Sequence, residues 1–390
     1  MIRAADRTRK IKYAIRDIAI LAKQTEKEKK VIYLNVGDPN KFDFDTPGHV
    51  KKAAIDAIKG RHNYYAESQG VKEGIEAIVK HNNKLGIDTD EKSVMTTYGV
   101  TEGVSTCVAA LLNSGENMLI SRPSYPLYPA ALNLFSCGMK FYTLDEENGW
   151  ELDTRDIEKQ IDIKTRAISI INPHNPTGGV YDKKMIKEVI NLAGQHDLVI
   201  LSDEIYSDLI LEGKMHYTAA MSGEVPVITF NGLAKNFLAP GWRIGWLAIT
   251  DREQKMTGVR DAIMQLGRAR LCMTTPLQHA IKPALEKKKT HLKEVIRKMR
   301  KRRNIICRRI NEIEGLSVVK PKAAFYAFPR IHAKIDDKDF VTGLLKEEGV
   351  ATVFGSGFDM PGHFRIVYLP QEKLLNEACD RIERFMKTIR

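Results

Sequence analysis

Long apolar runs are absent from this 390-residue chain. No stretch approaches the ~18 consecutive apolar residues that a membrane-spanning helix needs, so such a helix is excluded. The first residues, MIRAADRTRKIKYAIRDI, contain no apolar stretch of roughly 7–15 residues, and Asp6 and Asp17 interrupt them. We therefore expect neither a secretory signal nor a transit peptide, and no membrane partner.

Cysteine is scarce, and its five copies form no recognisable motif. No C-x-x-C pair occurs, which excludes the usual zinc patterns and the disulfide framework of a small secreted domain. We therefore expect no metal site, and a reducing compartment, the cytoplasm. The five residues are Cys107, Cys137, Cys272, Cys307 and Cys379.

Negative charge is in deficit, with 49 Asp and Glu residues against 61 Lys and Arg residues. The net charge of +12 favours anionic ligands and allows loose contact with nucleic acid. The basic stretch at residues 298–309 is one candidate for such contact. Its charges lie mostly opposite an apolar stripe, as on a solvated helix face, so we expect no nucleic-acid partner.

Short apolar runs alternate with helical patterns between residues 93 and 250. Strands that alternate with helices indicate a mostly parallel sheet covered on both faces, with functional sites at the carboxyl ends of its strands. We expect an α/β fold whose large domain has seven strands: SVMTTY, NMLIS, MKFYTL, RAISIIN, LVILSDE, PVITF and GWLAIT.

The two ends of the chain are expected to form a second, smaller α+β domain. The N-terminal arm has one apolar helix face, and a long helix is predicted over residues 276–314. Two strand-like runs, LSVVK and AAFYAFP, and a final amphipathic helix follow. The predicted organisation is an arm of residues 1–45, a large domain of 46–285 and a C-terminal part of 286–390. The apolar arm residues are Ile11, Ala14, Ile15, Ile18 and Ala22.

Two basic residues follow the strand PVITF in the segment NGLAKNFLAPGWRIGW. Lys235, at the strand end, can form a Schiff base with an aldehyde. Arg243 can bind a phosphate through two parallel hydrogen bonds. Taken alone, these two residues are equally consistent with solvated charges in a loop.

Polar side chains also follow two other predicted strands. Asp203 can pair with a protonated ring nitrogen, although it also suits a helix cap. Tyr206, three residues later, can hydrogen-bond a cofactor oxygen. Asn175 can donate its amide hydrogens to a phenolate or a carboxylate, although its segment, NPHNPTGG, is also typical of a plain turn.

Three further segments carry candidate binding residues. Gly99, Val100 and Thr101 stand at a strand-to-helix junction, where free N–H groups bind phosphate, although many such junctions look alike. Tyr125, between prolines, can stack on a flat ring or simply pack in a core. Arg365 begins a short apolar strand, where it can bind a substrate carboxylate or form a surface ion pair.

Together these groups supply what pyridoxal phosphate requires: an aldehyde-binding lysine, partners for the ring, a phosphate site and a carboxylate-binding arginine. With these groups in this order, the chain resembles the class I aminotransferases, pyridoxal-phosphate enzymes of fold type I, over nearly its whole length. The KYAIRD arm, the LNVGDPNKFDF loop and the GSGF…HFR ending resemble the alanine aminotransferase branch. The other matching segments are HNYYAESQG, GVTEG, PSYPLY, NPHNPTG, SDEIY, GLAKNFLAPGWRIGW and FRIVYLP.

The resemblance implies a homodimer and a role for each candidate residue. Lys235 would bind the cofactor aldehyde and Asp203 its ring nitrogen. The other cofactor contacts would be Tyr206 and Asn175 at the ring 3-oxygen, Tyr125 stacked on the ring, and Val100, Thr101, Arg243 and Tyr65 of the neighbouring subunit at the phosphate. The substrate carboxylate would be bound by the backbone of Gly37 and by Asn175 and Arg365.

The chain departs from the family in two places. The family often has serines where this chain has Gly232 and Ala234, which removes an expected phosphate contact near Lys235. The relatives' GSGFG is GSGFD here, with Phe354 before it and Asp359 as the altered residue. The second change lies near the expected mouth of the substrate site.

The resemblance implies reversible transfer of an amino group from L-alanine to 2-oxoglutarate, an activity of amino-acid metabolism. Lys235 would act as the general base that removes the α-proton of the amino acid and later returns it. One arginine suffices for alanine, whereas 2-oxoglutarate has a second carboxylate. Tyr13 and Arg16 of the arm are the predicted contacts for that distal group.

Other activities remain open at this stage. An aminotransferase of the same family could use aspartate or an aromatic amino acid as donor. A C–S lyase or a decarboxylase could use the same lysine and aspartate. A regulator with an aminotransferase-like sensor domain would need a DNA-binding domain, for which an arm of forty-odd residues is too short.

Overall fold

The computed structural model describes residues 2–11 and 13–389. Met1 and Lys12 of the predicted arm and Arg390 of the predicted C-terminal part lie outside the described residues. The described helices are α1 (Asp6–Arg9), α2 (Ala14–Thr25), α3 (Gly48–Lys59), α4 (Lys72–Lys84), α5 (Gly99–Leu111), α6 (Leu127–Leu134), α7 (Thr154–Gln160), α8 (Lys183–Gln195), α9 (Thr257–Ala269), α10 (Thr275–Gln278), α11 (Ile281–Glu286), α12 (His291–Glu312), α13 (Asp337–Glu348) and α14 (Glu372–Thr388). The described strands are β1 (Ile32–Tyr33), β2 (Val94–Tyr98), β3 (Asn117–Arg122), β4 (Gly138–Asp145), β5 (Glu151–Leu152), β6 (Thr165–Ile171), β7 (Val199–Asp203), β8 (Val227–Gly232), β9 (Ile244–Thr250), β10 (Leu316–Ser317), β11 (Tyr326–Ala327), β12 (Arg330–Ile331), β13 (Val350–Ala351), β14 (Val353–Phe354) and β15 (Phe364–Val367).

The largest sheet has the strand order β2-β9-β8-β7-β6-β3-β4-β5. Neighbouring strands from β8 through β4 run parallel, whereas β9 is antiparallel to β2 and β8, and β5 is antiparallel to β4. The seven predicted strands are all present, and the α/β fold with a mostly parallel sheet is confirmed. The additional strand, β5, has only two residues, which is too short to leave a pattern in the sequence.

Helices cover both faces of this sheet, which explains why its central strands are mostly apolar and largely buried. Every residue of β7 and β9 is buried, as expected for strands that have no solvent-exposed face. One face packs against α5, α6 and α9, and the other packs against α7 and α8. The carboxyl ends of β6, β7 and β8 stay open to the loops that follow them.

Short strands from both ends of the chain form a second set of sheets. β1 pairs with β13 in parallel, β10 pairs with β12 antiparallel, and β11-β15-β14 form an antiparallel sheet. α12, α13 and α14 pack around these strands. On α2 the predicted apolar face is confirmed except for Ile11, which precedes the helix and is exposed. The domain boundaries at residues 45 and 285 stay a prediction.

The prediction of one long helix over residues 276–314 is wrong. The segment forms α10, α11 and α12, separated by two breaks. Pro283 lies in the first turn of α11, and a proline ring there clashes with the backbone of a preceding helical turn, so α10 cannot continue through it. Lys287 has an extended backbone conformation and ends α11, so the second break lies between Glu286 and the start of α12.

Ion pairs engage many of the basic side chains of α12. Arg302 Nη2 lies 2.8 Å from Asp43 Oδ2, and Arg303 Nη2 lies 2.7 Å from Glu212 Oε1. Both arginines are buried, so they connect α12 to neighbouring segments instead of facing solvent. Intramolecular pairing therefore accounts for part of the basic stretch at residues 298–309.

Among residues 2–11 and 13–389, no helix combines the length and the apolar character that crossing a membrane requires.

Candidate active site

A cavity of about 110 Å³ lies at the carboxyl ends of β6, β7 and β8. Parallel strands end at the same edge of a sheet, so the loops that follow them converge there. This convergence brings together most of the residues predicted to hold the cofactor. The predicted residues that line the cavity are Val100, Thr101, Tyr125, Asn175, Asp203, Tyr206, Lys235 and Arg243.

Lys235 lies in the turn that follows β8, and its amine faces inward. Its Nζ donates a hydrogen bond of 2.9 Å to the carbonyl oxygen of Gly37 and lies 5.4 Å from the centre of the Phe325 ring. Burial lowers the pKa of Lys235 to about 8; Asp38 opposes this shift, and the Arg365 cation adds to it. A lysine with this pKa is partly neutral near pH 7–8, as an amine nucleophile or base must be.

Asp203 ends β7 and is buried, with 3% of its surface exposed. Its Oδ1 accepts a hydrogen bond of 3.2 Å from the backbone N–H of Ile205. Burial raises the pKa of Asp203 to about 7, although that hydrogen bond and the Lys235 amine oppose the rise. Turns follow Asp203 instead of a helix, so the alternative role as a helix cap is wrong.

A pair of tyrosine hydroxyls stands at another wall of the cavity. The hydroxyl of Tyr206 lies 2.9 Å from that of Tyr326, and the two rings meet edge to face. Burial raises the pKa of Tyr206 well above its usual value, so its phenol keeps its proton across the neutral pH range. Tyr206 is therefore available as a hydrogen-bond donor to a ligand oxygen.

Asn175 and Arg365 contact each other at the edge of the site. Arg365 Nη1 donates to Asn175 Oδ1 at 3.1 Å, and Nη2 donates to the carbonyl oxygen of Asn35 at 2.8 Å. The aromatic rings of Tyr326 and Phe358 lie 4.6 and 4.9 Å from the guanidinium carbon. These contacts fix the plane of the guanidinium and leave its Nε without a partner among the described residues.

Arg365 is 1% exposed and forms no ion pair with any described residue, so the alternative of a surface ion pair is wrong. A buried cation without a counter-ion costs several kcal/mol. An anionic ligand beside Arg365 would remove that cost, which favours a carboxylate-binding role.

The start of α5 and Arg243 form a second positively polarised surface. Arg243 Nη2 donates to the carbonyl oxygen of Tyr98 at 3.2 Å and to Thr101 Oγ1 at 3.4 Å. Gly99 has φ +69°, and a Cβ there would lie 2.5 Å from Arg243 Nη2. Only glycine therefore lets the arginine approach the free N–H groups of the helix start, a combination that suits a phosphate.

The arm reaches the site through Tyr13, whose hydroxyl lies 3.0 Å from the hydroxyl of Tyr125. Arg16, one turn later on α2, is exposed, and its side chain makes no hydrogen bond or ion pair with the described residues. The structure thus brings Tyr13 to the site, whereas the Arg16 side chain is exposed and is not among the residues that line the cavity, so it would reach a substrate there only if the arm moved. Tyr65 is 83% exposed and lies outside the cavity, so its role at the phosphate of a neighbouring subunit stays a prediction.

The departures from the family pattern have local explanations. A Cβ at Gly232 would lie 2.6 Å from the carbonyl oxygen of Ile244, so the backbone of β9 fills the space of a side chain. Ala234 lines the cavity with a methyl group, which supplies no hydrogen bond. Asp359 follows the turn Gly355–Phe358 with φ +57°, a conformation that Asp tolerates better than most residues other than glycine and asparagine.

Sequence reasoning missed several residues that surround the site. Tyr326 and Phe325 contact Tyr206, Lys235 or Arg365, but the segment AAFYAFP was interpreted only as a strand. Phe358 supports Arg365 from the other face. An aromatic pair beside a short strand gives no local signal of such contacts, since they join segments that are far apart in the chain.

Comparison with known proteins identifies the family of this chain. The family model described as aminotransferase class I and II matches residues 29–382. Glutamate-pyruvate aminotransferase AlaA of Escherichia coli strain K12 is 36% identical, covering 94% of this chain and 93% of that protein. Alanine aminotransferase of Mycobacterium bovis is 34% identical, covering 93% of this chain and 86% of that protein.

A solved structure supports the same relationship. Alanine aminotransferase from Pyrococcus furiosus matches with a TM-score of 0.97 and 43% identity, covering 99% of this chain and 100% of that chain. The resemblance inferred from the sequence motifs is confirmed, and with it the fold class. The chain belongs to the aminotransferase class I and II family.

Proposed function

We propose that this protein is a pyridoxal-phosphate-dependent aminotransferase that exchanges an amino group between L-alanine and 2-oxoglutarate. The observation that carries the proposal is one cavity lined by Lys235 and Asp203, with the Arg365–Asn175 pair at its edge. A lysine amine, a buried carboxylate and a buried guanidinium are the three groups that this chemistry uses. Similarity to proteins named alanine aminotransferase and glutamate-pyruvate aminotransferase supports the substrate pair.

The cavity fits the cofactor in the charge and chemistry of its lining. Asp203 forms no ion pair with any described residue, and a protonated ring nitrogen would supply one. Gly99 has no side chain, so Arg243 lies close enough to the start of α5 for both to bind the same phosphate. We assign Lys235 to the aldehyde, Asp203 to the ring nitrogen, Tyr206 and Asn175 to the ring 3-oxygen, Tyr125 to stacking, and Val100, Thr101, Arg243 and the partner subunit's Tyr65 to the phosphate.

The bound cofactor supplies an electron-withdrawing ring that makes the α-hydrogen of the amino acid acidic. Lys235, once the substrate's amino group has displaced it from the aldehyde, would remove that proton through its free Nζ as general base and would return it in the next step. The pKa of about 8 suits both directions, since the amine accepts and releases a proton near the same pH. In the cofactor-free protein, the hydrogen bond to the Gly37 carbonyl directs Nζ into the cavity where the aldehyde would bind.

Arg365 binds the α-carboxylate of the substrate, with Asn175 and the backbone of Gly37 beside it. The aromatic rings of Tyr326 and Phe358 hold the guanidinium plane, which favours bidentate binding of a carboxylate. Alanine needs no further charged partner, because its side chain is a methyl group. For 2-oxoglutarate we assign the distal carboxylate to Tyr13 and Arg16 of the arm; the contact of Tyr13 with Tyr125 supports the first of these.

We further propose a homodimer. Exposed apolar side chains recur in segments 55–65 and 266–271, and the Tyr64 carbonyl accepts a hydrogen bond of 2.7 Å from Thr275 Oγ1, four residues beyond the second segment. Exposed apolar surface is typical of a protein–protein interface. Tyr65 belongs to the first segment, so a second subunit that covers this segment would contact Tyr65.

We place this aminotransferase in the cytoplasm, and we place the domain boundaries at residues 45 and 285. The five cysteines are free thiols, four of them buried, which suits a reducing compartment. The boundary at 285 falls at the end of α11, where the chain leaves the helices packed on α3 and α4.

An amino-acceptor test separates this function from its alternatives. The purified holoprotein is supplied with L-alanine, with and without 2-oxoglutarate, and pyruvate and L-glutamate are measured. We expect sustained formation of both products only when 2-oxoglutarate is present. Continuous pyruvate formation from alanine without an amino acceptor would indicate oxidative deamination and would refute transamination.

A further inference from the structure

Tyr326 stands between the groups that the proposed function uses. It belongs to β11 and is buried, and its hydroxyl lies 2.9 Å from the Tyr206 hydroxyl. Within the described residues, Tyr206 is its sole hydrogen-bond partner. Its ring packs against Arg365, as described above, but its hydroxyl has none of the roles assigned there.

The number of hydrogens decides which of the two phenols donates. Each hydroxyl has one hydrogen and can accept two hydrogen bonds. If Tyr206 donated to Tyr326, it would have no hydrogen left for a ligand in the cavity. Since the proposed function directs the Tyr206 hydrogen at the ring oxygen of the cofactor, Tyr326 must be the donor within the pair.

The surroundings hold Tyr326 in this position. A Cβ at residue 37 would overlap the Tyr326 hydroxyl, so Gly37 leaves the space that the hydroxyl occupies. The Tyr326 ring packs on Phe325 at 4.7 Å between ring centres, and the guanidinium carbon of Arg365 lies 4.6 Å from its centre. The hydroxyl and the ring face of one residue therefore contact two different parts of the site.

We propose that Tyr326 is a positioning residue that donates its hydroxyl hydrogen to Tyr206 and so keeps the Tyr206 hydrogen directed at the phenolic oxygen of the bound cofactor. This inference rests on the proposed function and deepens it. Hydrogen bonds in a chain polarise one another, so a Tyr206 that accepts from Tyr326 is a stronger donor to the cofactor oxygen. The negative charge on that oxygen is stabilised, and the nitrogen that joins Lys235 to the cofactor loses its proton at a lower pH.

The ring face of Tyr326 has a separable effect. It lies against Arg365, which would bind the substrate carboxylate, and a cation over an aromatic face is stabilised by the charge distribution of the ring. Tyr326→Phe removes the hydroxyl and keeps this face, whereas Tyr326→Leu removes both. The two variants therefore distinguish the effect on the cofactor from the effect on carboxylate binding.

Tyr368 provides a matched control. It is a buried tyrosine of the same core, and its hydroxyl donates to the carbonyl oxygens of Ala323 and Ala324 at 3.3 and 3.1 Å. Tyr368→Phe removes a buried phenol hydrogen bond without touching Tyr206. A general loss of core stability affects this variant as it affects Tyr326→Phe.

The test is a pH titration of the visible absorbance of pyridoxal-phosphate-loaded protein, for wild type and for each variant. We expect Tyr326→Phe and Tyr326→Leu to raise the titration midpoint by ~0.3–0.5 pH unit, since polarisation changes a hydrogen bond by a modest fraction. Tyr368→Phe should leave the midpoint unchanged. In a Tyr206→Phe background, adding Tyr326→Phe should give no further shift.

Binding of propionate, a carboxylate without an amino group, gives the second readout. We expect its dissociation constant to be unchanged in Tyr326→Phe and several-fold higher in Tyr326→Leu. An unshifted midpoint in both Tyr326 variants, or a full shift that persists without the Tyr206 hydroxyl, would overturn the inference. If wild-type protein shows no visible absorbance band with added cofactor, the proposed function itself is refuted, and the inference about Tyr326 with it. Should Tyr326→Phe not fold, Tyr326→Leu tests the same midpoint.

Discussion

Asp203 is expected to favour cofactor binding and, at high pH, to lower the stability of the cofactor-free protein. The carboxyl group is buried at the end of β7 without a cation partner among the described residues, and burial raises its pKa to about 7. Replacing it by the similarly shaped amide, Asp203→Asn, removes the buried charge that forms at high pH. We therefore expect the cofactor-free variant to be more stable than cofactor-free wild type at pH 8.

The magnitude follows from proton linkage. A raised native pKa gives stability that is present below the unfolded value of 3.8 and is lost as pH rises through about 7. Between about pH 5 and pH 7 the folded protein holds roughly one proton more than the unfolded chain, and each pH unit then costs ~1.4 kcal/mol. Wild type should lose about 2–3 kcal/mol through this group between pH 5 and 8, and Asp203→Asn should not.

The assay is urea unfolding of both cofactor-free proteins at pH 5 and pH 8, at one fixed protein concentration. Asp182→Asn is the matched control, because Asp182 is an exposed carboxylate that caps α8 and asparagine caps equally well. The stability difference between variant and wild type should grow in favour of Asp203→Asn with pH, and stay constant for Asp182→Asn. A difference for Asp203→Asn that is the same at both pH values would refute the reasoning.

Three further changes test other parts of the site. Lys235→Ala should abolish transamination without unfolding the protein, as measured by turnover and circular dichroism; turnover near the wild-type rate would rule out Lys235 as the proton carrier. Gly99→Ala should raise the dissociation constant for pyridoxal phosphate at least ~10-fold, because the new Cβ displaces Arg243 from the start of α5, whereas Gly115→Ala, with positive φ but open space, should leave it unchanged. Arg16→Ala should raise the KM for 2-oxoglutarate and leave that for L-alanine unchanged, since Arg16 is exposed and bears no stabilising contact; equal KM values in the variant and wild type would remove Arg16 from the site.

The central sheet was predictable because its strands carry their signal locally. β7 and β9 are short, mostly apolar strands that begin and end within a few residues of turn formers. Asp203 and Lys235 stood out for the same reason, since a polar residue directly after such a run lies at the open edge of the sheet. The apolar periodicity over residues 276–314 was misleading, because the apolar stripe continues on both sides of the two breaks, near Pro283 and at Lys287.

The contacts that join distant segments were not predictable from local pattern. The carbonyl oxygen of Gly37 accepts a hydrogen bond from the Lys235 amine, 198 residues away in the chain. The hydroxyls of Tyr206 and Tyr326 are hydrogen-bonded although 120 residues separate them in the sequence. Nothing in the flanking residues specifies such a meeting, because it depends on how β11 docks beside the loop after β7. The exposure of Arg16 likewise follows from how α2 lies on the protein, since its neighbours Ala14, Ile15 and Ile18 take the buried face.

The measurement that tests the account most directly is an absorbance spectrum of pyridoxal-phosphate-loaded protein, titrated separately with L-alanine, L-glutamate and L-aspartate. We predict a yellow protein whose visible absorbance band is lost on addition of alanine or glutamate and hardly changes with aspartate. A stronger response to aspartate or to an aromatic amino acid would contradict the substrate assignment. A protein that stays colourless with added cofactor would contradict the role of Lys235, and with it the proposed function.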